Sequence, residues 1–174
     1  LGRTRRHGIE AQVNLTSKTL QLYASYALVD ARFLDPLVIG SNSPFADADG
    51  NIQVVPGNRI PAIPRNRVKF GLDYSITDAF KVGGDALFVS DQFFVGDDNN
   101  LAPRLPSYAV FNRHASYQLT KNIQFYGRVD NVFDNRYAVY GTFFQTDDVP
   151  NFANGGAPFS DPRSVSPARP RALY

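Results

Sequence analysis

Charged side chains set at every second position are the first groups in this chain that could do chemistry. Arg67, Lys69 and Asp73 fall on one face of the run Asn66 to Ser75. Lys81 and Asp85 do the same from Phe80 onward, and Arg128 and Asp130 from Ile123. A period of two places each set on one side of an extended strand, opposite Val68, Phe70, Leu72, Val82, Phe125 and Val129. Such a set can pair internally, or hold a polar partner or an anionic ligand against a wall. Catalysis is a poorer fit. The two histidines, His7 and His114, are isolated, and there is no Cys, so neither a thiolate metal site nor a Ser/His/Asp arrangement can be built. No Gly-rich phosphate cradle is present. Asp47-Ala-Asp-Gly-Asn51 and Gly96-Asp-Asp-Asn-Asn100 lack the distal Glu of a calcium loop and read as Asp-bearing turns. No cofactor and no enzyme activity are expected. A net charge of +2, with the basic residues scattered, gives no footprint for nucleic acid.

The second chemical resource is aromatic. The chain has 14 Phe and 9 Tyr but no Trp. Phe93, Phe94, Tyr137, Tyr140, Phe143 and Phe144 stand near the ends of two strands that precede loops. Aromatic rings hold flat or cationic groups by stacking and cation–π contact. Tyr140, Phe143 and Phe144 are accordingly the candidate substrate-binding residues.

Strands must position these groups, and the sequence marks them. Gly8 to Leu15 alternates Ile9, Ala11, Val13 and Leu15 with Glu10, Gln12 and Asn14. Further runs cover Thr19 to Phe33, Asn66 to Ser75, Phe80 to about Phe94, Ser107 to Leu119 and Asn122 to Gly141, and Arg171 to Tyr174 begins a seventh. A helical period would scatter the leucines of the second run. The joints alternate in length. Thr16-Ser17-Lys18, Ile76 to Ala79 and Thr120-Lys121-Asn122 are tight, whereas Leu34 to Arg65 and Thr142 to Pro170 are long and rich in Pro, Gly, Asn and Asp. Unstructured stretches of that length are uncommon inside compact domains. Short turns on one side and long loops on the other are the pattern of a transmembrane β-barrel. A soluble β-sandwich also alternates, but would enclose Ile9, Leu22 and Phe125 in a core.

Several segments carry a family resemblance. Ser90–Asn100 (SDQFFVGDDNN), Leu105–Asn122 (LPSYAVFNRHASYQLTKN) and Phe125–Phe144 (FYGRVDNVFDNRYAVYGTFF) resemble the late barrel strands of TonB-dependent outer-membrane receptors. The turn Ser116-Tyr-Gln-Leu-Thr120, the segment Val129 to Tyr137 and the following Gly141 match that family's pattern in order and spacing. Gly8-Ile9-Glu10, Ile60-Pro61 with Pro64, and Asp161–Tyr174 resemble its earlier and final strand approaches.

The resemblance implies an all-β fold: residues 1–174 as the C-terminal part of a 22-stranded antiparallel barrel, contributing about seven meandering strands. Short turns would be periplasmic and long loops extracellular. A plug domain and the segment gripped by TonB would lie outside these residues. The implied function is TonB-energised uptake of a large nutrient complex, most often a ferric siderophore. The implied partners are TonB, the plug, the ferric chelate and outer-membrane lipid, and the implied location is the Gram-negative outer membrane. Arg67, Lys69, Asp73, Asp85, Arg128 and Asp130 would then face the lumen. Arg113 would share the lipid face with Phe111, Ala115, Tyr117 and Leu119, close to an interface. The competing readings are a porin-like or adhesive barrel without energised transport, and the soluble sandwich.

Overall fold

A computed structural model describes residues 2–157 and 159–174. Its main feature is one antiparallel sheet of seven strands: β1 (Thr4–Thr16), β2 (Leu20–Phe33), β5 (Asn66–Ser75), β6 (Phe80–Val89), β7 (Tyr108–Thr120), β8 (Ile123–Asp130) and β11 (Ala172–Leu173). Each pairs with its predecessor in that order, so the sheet is a meander. The three tight turns are closed by hydroxyl side chains. Ser17 Oγ accepts from Leu20 N, Thr77 Oγ1 from Phe80 N and Thr120 Oγ1 from Asn122 N. Small polar residues are favoured there because they offer the backbone a local partner.

Register fixes the two faces. Leu15 lies opposite Leu22, Leu22 opposite Leu72, Leu72 opposite Gly84, Gly84 opposite Arg113, and Arg113 opposite Val129. The apolar residues of all these strands therefore share one face, and large side chains on it stay exposed among the described residues. Ile9 is 63% exposed and Phe125 59%. A sandwich core would have enclosed both, so these residues do not form a sandwich. The sheet does not close on itself, and β1 and β11 form its edges.

Apart from Asp30, Ala31, Phe33, Val89 and Val110 at the loop-bearing ends of the main strands, most buried residues lie in a cap at that end. Ile52, Val54, Phe93, Phe94, Leu105 and Phe143 are all buried there. Two hairpins build much of it. β3 (Leu37–Gly40) pairs with β4 (Asn51–Val54), and β9 (Ala138–Phe143) pairs with β10 (Arg163–Pro167). The sequence suggested loops for β3, β4 and β10, and ran a single strand from Asn122 through most of β9. A short 3-10 turn, Phe152–Asn154, lies between β9 and β10.

Two strand expectations are corrected. The run from Phe80 leaves the sheet at Val89, and Ser90 to Val95 instead feeds the cap. The run from Asn122 to Gly141 is not one strand. β8 stops at Asp130 because Asn131 and Asp134 take left-handed conformations, with φ of 50° and 52°. Asn and Asp tolerate that region better than other residues with a side chain. The chain there turns, and resumes as β9 in the separate hairpin.

Candidate functional site

Two groups of side chains stand out: a polar wall on the sheet and an aromatic–arginine rim in the cap. The wall follows from the register. Tyr23, Gly71, Asp85 and Asn112 lie in one cross-strand row, and Gln21, Asp73, Gly83, His114 and Arg128 in the next. Asn112 Nδ2 donates to Asp85 at 2.7 Å. His114 Nε2 reaches Asp73 Oδ1 at 2.6 Å, passing over Gly83. A Cβ at Gly83 would occupy the space of that contact, so glycine is what lets strands β5 and β7 touch across β6. Arg128 pairs with Asp130 along its own strand. Gly71 likewise leaves room for the Tyr23 ring.

Thus Asp73, Asp85, Arg128 and Asp130 all sit on one polar face, in separate pairs. Arg67 and Lys69 share the same face but lie nearer the cap. With Glu10, Gln12, Ser25 and Ala27 they line a recess of about 380 Å³. Neither makes an ion pair with another described residue.

The aromatic candidates separate. Tyr140 is 41% exposed on β9. Phe144 is half-buried, its ring edge-on to Phe159 at 5.6 Å. Phe143 is buried and stacked on Phe94 with ring centroids 5.5 Å apart. Its ring is packing within the cap, not an accessible contact surface. Gly141 lies directly beneath the Phe94 ring, where a Cβ would collide.

Several arginines join this rim that the sequence had not singled out. Arg104 and Arg59 both stand over the Phe93 ring, at 4.7 and 5.6 Å from its centroid. Arg104 also binds Asp91 at 2.7 Å. Burial and the nearby Arg104 charge push the Arg59 guanidinium below its ordinary pKa. Between the Leu105 segment and the β9–β10 hairpin opens a recess of about 590 Å³. Phe94, Arg104, Arg136, Tyr137, Asp161 and Arg163 are among its lining residues. Tyr137 is stacked on Tyr108 at 4.4 Å. Arg163 forks onto Asp161, whose carboxyl is held down to about 2 by that hydrogen-bonded pair. Arg136 makes no ion pair with a described residue. A recess with three guanidiniums, one carboxylate and stacked rings suits an anionic, partly flat ligand. These arginines come from distant Pro-rich loops, and no local pattern links them.

Comparisons with known proteins agree with this architecture. The chain is 31% identical over 111 residues to the pesticin receptor of Yersinia enterocolitica, which covers 55% of this chain and 16% of that protein. The fold resembles the crystal structure of the siderophore receptor PiuA from Acinetobacter baumannii, with a TM-score of 0.73 at 17% identity, over 99% of this chain and 21% of that one. It also resembles the ferric yersiniabactin uptake receptor FyuA from Yersinia pestis, with a TM-score of 0.69 at 19% identity, over 99% of this chain and 23% of that one. The chain therefore spans about a sixth of the curated relative and about a fifth of the solved ones. A family model described as TonB dependent receptor-like, beta-barrel matches residues 1–132, and the chain belongs to that family.

Proposed function

We propose that this chain forms the later part of the barrel wall of an outer-membrane receptor that takes up a ferric siderophore, or a related anionic iron chelate, using energy delivered by TonB. The observation that carries this reading is the recess of arginines and aromatic rings at the loop-bearing end of a family barrel sheet. In this reading the uncovered apolar face meets outer-membrane lipid. Further strands would satisfy the free edges of β1 and β11, because hydrocarbon cannot hydrogen-bond to them. The polar wall of Arg67, Lys69, Asp73, Asp85, Arg128 and Asp130 faces the lumen and the plug domain. No bond in the cargo is made or broken, so the role is transport and not catalysis.

Arg136 and Arg163 are the residues of choice for a test. Each charge-assisted hydrogen bond contributes about 1.5–3 kcal/mol. Changing both to Ala in the complete receptor is expected to weaken binding of an anionic ferric chelate by at least about tenfold. Tyr140→Ala and Phe144→Ala are expected to weaken it less, through lost stacking. Equilibrium binding of radioiron-loaded chelates to cells expressing each variant measures this. Unchanged affinity in all of them would remove the rim from the binding site. Uptake that persists without TonB would favour a porin-like barrel instead.

A further inference from the structure

Asp97 is the most deeply enclosed ionisable group among the described residues. Its side chain is fully buried, at 0% exposure. Oδ1 accepts from the backbone N–H groups of Leu101 and Ala102, both at 3.1 Å, and so closes the turn from Asp97 to Ala102. Oδ2 has no hydrogen-bond partner. Asn99, two residues on and 8% exposed, has the same defect, since its Oδ1 is buried and unpartnered. These two are the buried side-chain oxygens left unpaired among the described residues, and both are acceptors. A buried carboxylate without a counter-charge is costly, and the usual resolution is to neutralise it.

No cation is paired with Asp97 among the described residues. On its own loop Asp98 is a second carboxylate and opposes ionisation of Asp97. Further along the same loop Arg104 is paired with Asp91, and both it and Arg59, from the segment after β4, stand over Phe93. From β10, Arg163 is paired with Asp161. β9 contributes the uncharged Phe143, which packs with Ala102 and close to Gly96. Burial pushes the Asp97 carboxyl above its ordinary value, against the backbone N–H groups of Ala102 and Leu101, which favour the ionised form, and the Asp98 charge adds a little to the rise.

This turn is also a junction. Ser41 Oγ donates to Gly96 O at 2.6 Å, joining the loop after β3. Asn58 Nδ2 donates to Asn99 O, and Asn100 exchanges hydrogen bonds with both the N–H and the C=O of Arg59, joining the segment after β4. Val95 bonds to Gly141 and Phe143 of β9.

We propose that Asp97 is a proton-operated latch of the outer cap: with a proton on Oδ2 it holds the Gly96–Leu105 loop closed, and on ionising it loosens that loop from the segments it joins. The proton turns an unpaired acceptor into a neutral hydroxyl. It also removes the cost of an enclosed charge. The sign follows from linkage. A carboxyl whose folded value is raised contributes its full stability below its ordinary value near 3.8, and that contribution falls as pH climbs to the raised value. The cap is therefore tighter in acid. Because the latch joins the rim segments, its state would alter access to the outer recess whatever ligand that recess takes.

Hydrogen exchange of the Gly96–Leu105 peptide in the complete receptor, from pH 4 to 8 and corrected for intrinsic rates, tests this. Peptides from β6 report whether the barrel itself stays folded. In the wild type, protection is expected to fall by about tenfold for each pH unit across the titration window. Asp97→Asn keeps the acceptor for Leu101 and Ala102 and supplies a permanent donor, so its protection is expected to stay high and flat. Asp97→Ala is expected to be unprotected throughout. The proposal is overturned if Asp97→Asn is as unprotected as Asp97→Ala, or if wild-type protection is independent of pH. It is also overturned if wild-type protection is lost to a chelator and restored by calcium, which would make Asp97 an ion ligand.

Discussion

Asn131→Ala in the complete receptor is expected to lower barrel stability by about 2–4 kcal/mol. Asn131 is 3% exposed and left-handed, with φ of 50°. Its Oδ1 accepts from Asn135 N at 3.0 Å, and its Nδ2 donates to Asn135 O at 2.9 Å and to Arg169 O at 3.3 Å. Ala removes all three bonds, and with them the local side-chain hydrogen bonding by which Asn tolerates the left-handed region. Asp134 works beside it, accepting from Arg171 N at 3.0 Å. The pair therefore does two jobs. It ends β8, and it docks the returning chain so that β11 can pair with β8. Asn131→Gly keeps the backbone conformation and loses only the side-chain bonds, so it should fall between wild type and Ala. Urea titration of the folded barrel, read by mobility on unheated gels, gives the midpoints. An unchanged midpoint for Asn131→Ala would mean the turn is not what secures the last strand.

That motif shows where the sequence is readable and where it is not. A period of two is local, so the faces of β1, β2, β5, β6, β7 and the first half of β8 can be read directly from Ile9, Leu22, Phe70, Val82 and Phe125. The Val129 to Tyr137 segment can be recognised as a pattern. Its action cannot be read, because the partners of Asn131 and Asp134 include Arg169 and Arg171, far along the chain. The short hairpins are hidden for another reason. β3 and β4 are four residues each, too short to establish alternation between prolines. Their stability comes from Ile52 and Val54 entering the cap, a tertiary effect. The same holds for Phe143. Its type and position suit a ligand contact, but Phe94, held over Gly141, claims its face. The rim arginines carry no signal until the loops that bear them are brought together.

Phe70→Arg is expected to cost about 2–4 kcal/mol of stability in a lipid bilayer, whereas Arg113→Leu is expected to change it by less than about 1 kcal/mol. Both residues lie on the apolar face, and their difference comes from strand tilt. The row that starts at Leu15, beside the turn end of β1, arrives at Val129, beside the outer end of β8. The row therefore climbs across the sheet, as tilted barrel strands require. Arg113 is on the raised side of it. Two positions further out on its strand, Phe111 packs edge-on to Phe133 at 5.3 Å, and Phe133 is 64% exposed. Aromatic pairs of this kind mark a membrane interface, and an Arg so close beneath one can extend its guanidinium into the headgroups. The stem has room because its cross-strand neighbour is Gly84. Phe70 has no such escape. It is 42% exposed in the middle of β5, between Ala24 and Ala86, with apolar Val68 and Leu72 on either side along the face. An arginine there would carry its charge into hydrocarbon. Folding of the complete receptor into vesicles, titrated with urea, measures both variants. Equal and small effects would show that this face does not meet lipid. A large gain for Arg113→Leu would instead place Arg113 near the midplane, and would mean that the tilt inferred from register is too small.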